Sequence, residues 1–197
     1  MPKVVNKDEK RKIIAKSTCS LFIEKGFVNI SISQIAKSAG IGKGTIYEYF
    51  KNKEDIVFEL MSCLQDDYDP KLKSNLQSAN TVKEKVICLF SLFLDDDETT
   101  QIQRKIYKEF LSIYLSNPTD EIVNYRINLI DKYSLILDEI LNDAVEKEEL
   151  LEVSLQFVPS IFATFEGFCI SNDNGKEQIL KYLDNLLVLL SKNKGEI

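Results

Sequence analysis

Residues 31–53, Ser-Ile-Ser-Gln-Ile-Ala-Lys-Ser-Ala-Gly-Ile-Gly-Lys-Gly-Thr-Ile-Tyr-Glu-Tyr-Phe-Lys-Asn-Lys, constrain the fold of this chain more than any other stretch. Ile32, Ile35, Ala36 and Ala39 recur at i, i+3, i+4 and i+7, the apolar stripe of a short helix. Ser31 and Gln34 have capping-box spacing, so the hydroxyl can accept a backbone N–H while the amide reaches back. Gly40 suits the left-handed position that stops a helix, and Ile41 plugs the turn into the core. Gly42 to Gly44 then open a second short helix whose inward residues are Ile46 and Phe50. Lys43, Thr45, Tyr47 and Tyr49 are left facing outward, followed by Lys51 and Lys53. The pattern predicts a helix-turn-helix, and a helix of this size fits the major groove of DNA. Two helices that merely pack are the alternative, but outward tyrosines flanked by lysines suit phosphates better than bulk solvent.

The charge distribution points the same way. The chain of 197 residues is acidic overall, net −6, yet residues 1–53 hold 11 Lys or Arg against 4 Asp or Glu, net +7. The remaining residues hold 14 basic and 27 acidic side chains, net −13. A basic head on an acidic body implies nucleic acid at one end, with binding that weakens steeply as salt rises. Asp8 to Lys25 reads as one helix with Ile14, Thr18, Leu21 and Phe22 on one face, ended by Gly26, with Phe27 and Ile30 leading into the next helix. Lys3, Lys7, Lys10, Arg11 and Lys12 precede or open it, either as a basic arm for the DNA backbone or as a solvated terminus.

A helix ending in Lys-Gly-Phe, followed by the 31–53 stretch with its Thr-Ile-Tyr-x-Tyr-Phe-x-Asn-Lys core, resembles the TetR family of bacterial transcriptional regulators over residues 9–60. The resemblance implies an all-α protein of about nine helices: a three-helix DNA-binding head over 1–53 and a variable ligand and dimerisation domain over 54–197. It further implies a homodimer, usually a repressor, released from its operator by a small ligand. By similarity Ser31 and Ser33 would touch phosphate or a base edge. Lys43, Gly44 and Thr45 would enter the groove. Tyr47 and Lys53 would bind phosphate, and Tyr49 phosphate or a base edge. Glu48 is a departure: its carboxylate would either accept from cytosine N4 or, as expected here, lie to one side and face solvent.

Past the head, helical patterns alternate with short breaks. Asn52 and Asp55 cap a helix bearing Ile56, Val57, Leu60, Met61 and Leu64, which Asp69-Pro70 should end or kink before a polar loop at Ser74 to Asn80. Thr81 and Glu84 form a second capping box, before Val86, Phe90, Phe93 and Leu94. Asp95 to Glu98 read as a solvated acidic loop rather than a cation site. Ile102, Ile106, Phe110 and Tyr114 mark the next helix, and Asn117-Pro118 should open a long one running to about Lys147. Glu152 to Ser171 reads as one helix, with a kink expected at Pro159, and Ser171 to Gly175 as a loop before the last helix.

The last two helices are apolar on more than one face and have more to bury than one core offers, which predicts a dimer interface through Phe157, Ile161, Phe168, Leu183, Leu186, Leu187 and Leu190. Paired heads would read a pseudo-palindromic duplex with half-sites about 34–36 Å, or a multiple, apart. The ligand pocket implied by the family has as candidates Phe90, Phe93, Phe110, Tyr114, Tyr133, Phe162 and Phe165, a lining suited to a lipophilic effector. Glu166 stands within this apolar helix, where it would meet a cationic ligand or a buried hydroxyl, or sit at the rim of the dimer interface.

Other classes are disfavoured. Zero histidines remove the commonest general base, and no nucleophile–base or phosphate-loop motif appears, so an enzyme is not expected. An activator, or a DNA-binding protein needing no ligand, is the alternative within the same fold. Four scattered cysteines without a CxxC pair give no zinc site and fit free thiols in a reducing cytoplasm. No metal or cofactor is expected, and neither a secretion signal nor a charge-free run of about 18 apolar residues appears.

Overall fold

The structure, a computed structural model, describes residues 6–171 and 175–192. Lys3 of the basic arm and residues 172–174 of the loop expected before the last helix lie outside the described residues. The described chain is all helical apart from one antiparallel bridge between Leu150 and Ser191. Its elements are α1 (Lys7–Ser17), α2 (Cys19–Lys25), α3 (Ile32–Ser38), α4 (Lys43–Tyr49), α5 (Glu54–Ser78), α6 (Val82–Leu89), α7 (Ser91–Leu94), α8 (Glu98–Ser116), α9 (Asp120–Glu146), a 3-10 turn (Glu152–Phe157), α10 (Val158–Ser171) and α11 (Lys176–Leu190).

Two expected helices are each broken once, so nine become eleven α-helical segments among the described residues. The break between α1 and α2 has a local cause. Ser17 and Thr18 turn their hydroxyls onto the carbonyls of Ile14 and Ala15, at 2.7 and 2.6 Å, and compete with the helix ladder. The Ser17 carbonyl instead accepts the Ser38 hydroxyl of α3 at 2.7 Å. The second break, at Phe90, separates α6 from α7.

Other boundaries differ from the sequence expectation. Pro70 neither ends α5 nor opens a loop: the helix runs on to Ser78, past buried Leu72. Burial of an apolar residue beyond the proline offsets the single backbone hydrogen bond that Pro70 cannot make. Asn117 and Pro118 do not start α9. The helix begins at Asp120, where the Thr119 hydroxyl accepts the Ile122 amide at 3.3 Å and serves as the cap. Asp97, expected in a solvated loop, caps α8 by accepting the Thr100 amide and hydroxyl at 3.1 and 2.6 Å, contacts that hold its carboxyl below the usual range. Pro159 kinks nothing, because α10 starts at Val158 and a first-turn proline lacks only an amide that would have had no partner.

The chain divides into two compact units, one running to Asp69 with Ile102–Ile122, the other Pro70–Gln101 with the residues from Val123 on. The head expected over 1–53 lies inside the first unit, which also takes in the first four turns of α5 and most of α8. Ile14, Phe22, Ile35, Ile46, Phe50, Ile56, Leu60, Ile106 and Phe110 are its buried side chains, so three head helices alone do not close its core. The second unit buries Phe90, Leu137, Leu141, Phe165, Leu183 and Leu187. Glu152–Ser171 is long and apolar enough by composition to cross a membrane; a third of its apolar window is buried within this unit, and Ile161, Phe162, Phe165 and Glu166 are among its buried residues.

Candidate nucleic-acid interface

The turn between α3 and α4 is built from the residues that predicted it. Ser31 accepts the Gln34 amide at 3.3 Å and its own amide donates to Gln34 Oε1 at 2.8 Å, the reciprocal capping box. At the other end Gly40 adopts φ +66°, its amide donates to Lys37 and the Ile41 amide reaches back to Ala36 at 3.0 Å. That is a Schellman closure, which needs a left-handed residue at Gly40. α4 follows after one residue, with Ile46 and Phe50 almost fully buried.

Lys43, Gly44, Tyr47 and Glu48 are exposed on α4, and Ser31 and Ser33 at the start of α3 are exposed too. Thr45 and Tyr49 are half-buried, at the edge of the outward face rather than on it. Tyr47 and Tyr49 line a surface cleft of about 440 Å³ with Lys7, Arg11, Lys51 and Glu121. A β-carbon added to Gly44 would meet nothing within 4 Å, so the fold of the described chain has no need of glycine there. Glycine inside a helix costs about 0.5–1 kcal/mol relative to alanine. An exposed glycine on the outward face therefore fits close approach by something outside the chain.

Three basic residues have partners within the chain. Lys53 donates to the carbonyls of Phe27 and Ile30 at 2.6 and 2.9 Å, and its ammonium lies 4.1 Å from the centre of the Phe27 ring. The side chain expected at a phosphate thus also ties the head together from within. Partial burial pushes its pKa down, with Glu54 acting the other way. Arg11 and Lys12, expected in a basic arm, are ion-paired to Glu59 and Asp66 of α5 at 2.8 and 2.6 Å. Those partners lie about 50 positions away, and no local spacing announces them. Sequence reasoning also missed Glu109 of α8, which accepts the Phe27 amide at 2.8 Å.

The candidate effector residues are divided between the two units. Phe90 stacks on Phe165 with centroids 4.1 Å apart, and Phe162 and Phe93 adjoin it at 5.7 and 6.2 Å, all in the second unit. Phe110 and Tyr114 belong to the first unit, where Phe110 meets Phe58 edge-on at 6.0 Å. Tyr133 is half-buried on α9 beside Lys132. Glu166 takes both guanidinium nitrogens of Arg126 at 2.9 and 2.8 Å, a bidentate pair within the chain.

The residues expected at a dimer interface differ in burial within the chain. Ile161, Leu183, Leu186, Leu187 and Leu190 are buried within this chain, and Phe157 and Phe168 are half-buried. On the same two helices the exposed small or apolar positions include Ala163, Gly167 and Ile170 on α10 and Val188 and Leu189 on α11, Leu189 being 73% exposed. A helix apolar on two faces cannot reveal by composition which face its own core takes. Burial pushes the thiols of Cys19, Cys63 and Cys88 up, away from the reactive thiolate form. Among the described residues no cluster of metal-ligating side chains occurs.

Comparison with known proteins bears on this geometry. Residues 14–60 match the family profile described as "Bacterial regulatory proteins, tetR family". The Bacillus subtilis "Fatty acid metabolism regulator protein" is 29% identical over 142 residues, 71% of this chain and 70% of that one. The chain spans about half the length of two further curated transcriptional regulators of the same organism that it matches. Among solved structures, a TetR-family transcriptional regulator from Cytophaga hutchinsonii superposes with TM-score 0.78 at 20% identity, covering 98% of this chain and 100% of that one. The Bacillus subtilis regulator FadR, solved with stearoyl-CoA, superposes with TM-score 0.65 at 24% identity, covering 92% and 98%.

Proposed function

We propose that this chain, a DNA-binding transcriptional regulator belonging to the TetR family of bacterial regulatory proteins, acts as a homodimeric repressor that a small lipophilic effector releases from a pseudo-palindromic operator. The observation that carries the DNA-reading part is the exposed face of α4, with Lys43, Gly44 and Tyr47 beside an open space at Gly44. Lys43 reaches a base edge or a phosphate, Tyr47 a phosphate, and Gly44 lets the backbone come close. Ser31 and Ser33 flank them from α3, and Thr45 and Tyr49 from the edge of α4.

Gly44→Ala separates fold from function. It should raise the stability of the head by about 0.5–1 kcal/mol and weaken binding to a duplex that the wild-type chain selects from a random-sequence pool. Lys43→Ala should cost about 1–3 kcal/mol on that duplex if the lysine pairs with guanine. A loss of equal size on random DNA makes Lys43 a phosphate contact. Lys53→Met should lower stability and leave the salt slope unchanged, since its ammonium serves the head itself. Unimpaired binding by both Gly44→Ala and Lys43→Ala would refute the role of α4.

For the dimer, the apolar stripe left open by Ala163, Gly167, Ile170, Val188 and Leu189 supports helix pairing between two copies of α10 and α11. Leu189→Asp should turn a dimer into a monomer in sedimentation velocity and weaken binding to a two-half-site duplex about tenfold or more. A variant that stays dimeric places the interface elsewhere. The stacked Phe90, Phe93, Phe162 and Phe165 support an apolar effector, as does similarity to a fatty acid metabolism regulator. An effector that fits must bind the free dimer more tightly than the DNA-bound one.

A further inference from the structure

α4 closes with the Phe50 amide donating to the Ile46 carbonyl at 2.9 Å, which leaves the carbonyls beyond Ile46 to other donors. Its last turn carries no basic residue, and the chain turns extended at Phe50 directly after Tyr49. The carbonyls at a helix C-terminus carry partial negative charge and need donors from elsewhere. The donor here comes from α1. Arg11 Nη1 donates to the Tyr49 carbonyl, Arg11 Nε donates to Glu59 of α5 at 2.8 Å, and the guanidinium lies 4.4 Å from the centre of the buried Phe50 ring. All these groups belong to one compact unit, and the Arg11 and Glu59 side chains are only 28% and 13% exposed. One planar group thus touches the end of α4, the first residue after it, and the helix that leaves the head.

We infer that Arg11 is a positioning residue for DNA reading: it caps α4 from α1, is itself held by Glu59, and fixes the orientation of the exposed α4 face without touching DNA. A cation in a basic head would ordinarily be counted among the phosphate contacts, but these donors point inward. Lysine is a poor substitute, because an ammonium lacks the flat fork that serves a carbonyl and a carboxylate while lying over a ring. The inference rests on the reading that α4 enters the groove.

The test uses the full chain, the duplex it selects from a random-sequence pool, and the unselected pool. Arg11→Lys and Arg11→Met should bind the selected duplex about tenfold more weakly, the size of one lost charge-assisted hydrogen bond. Affinity for the unselected pool and the slope of affinity against salt should stay at the wild-type values. Glu59→Gln should move affinity in the same direction by less. In the free protein, amide exchange at Tyr49 and Phe50 should quicken about tenfold in Arg11→Met, with Ile35 and Ala36 unchanged. A salt slope lower by about one would make Arg11 a direct phosphate contact and overturn the inference. Lysine and methionine variants that match the wild type in affinity and exchange would overturn it too. If the wild-type chain selects no duplex, the DNA-reading role of α4 falls, and the role of Arg11 with it. If the wild type selects one and the variants match it, Arg11 alone is wrong.

Discussion

Arg126→Met should destabilise the second unit by about 3 kcal/mol, and adding Glu166→Leu should restore most of that loss. The pair is bidentate and nearly out of solvent, with side-chain exposures of 15% and 11%. Removing the guanidinium alone leaves a buried carboxylate without its bidentate partner. Removing both charges costs little, because the attraction between them mainly offsets their own desolvation. Urea unfolding of the two variants checks this. A single-variant loss below about 1 kcal/mol would show that water reaches the pair and that it behaves as a surface bridge.

Phe50→Ala should cost the first unit about 3–5 kcal/mol, the usual result of emptying a buried aromatic site. Phe50 is 1% exposed, ends α4 and lies under the Arg11 guanidinium. Its loss undermines α4 from within, so selective DNA binding should vanish with it. Circular dichroism in urea measures the loss, and amide exchange assigns it to α3 and α4. Val28→Ala, at a site 79% exposed, should stay within about 0.5 kcal/mol of the wild type and serves as the control. A Phe50→Ala protein as stable as that control would mean that α4 is held by its surface contacts instead.

The two capping boxes, the glycine stop at Gly40 and the inward pair Ile46 and Phe50 were all legible in the sequence, since each is a relation between residues three to five apart. Local hydrogen bonding dictates such relations, and spacing records them. Helix boundaries were less legible where a competing local bond won. Thr119 took the cap from Asn117, and Ser17 and Thr18 broke a helix that the apolar stripe alone would continue.

Sequence by itself determined the helical class, the helix-turn-helix and the basic sign of its face, because short-range periodicity and composition carry all three. Only the tertiary structure decided which cations of the head have partners within the chain. Arg11, Lys12 and Lys53 look like Lys43 in the sequence, yet their partners are carboxylates and carbonyls brought close by packing across 23 to 54 positions. It likewise decided that Leu183, Leu186 and Leu187 face inward while Val188 and Leu189 face out. The reason is the same in both cases. A charge or an apolar side chain has no assigned partner along the chain, and the one it takes is whichever the folded core leaves nearest.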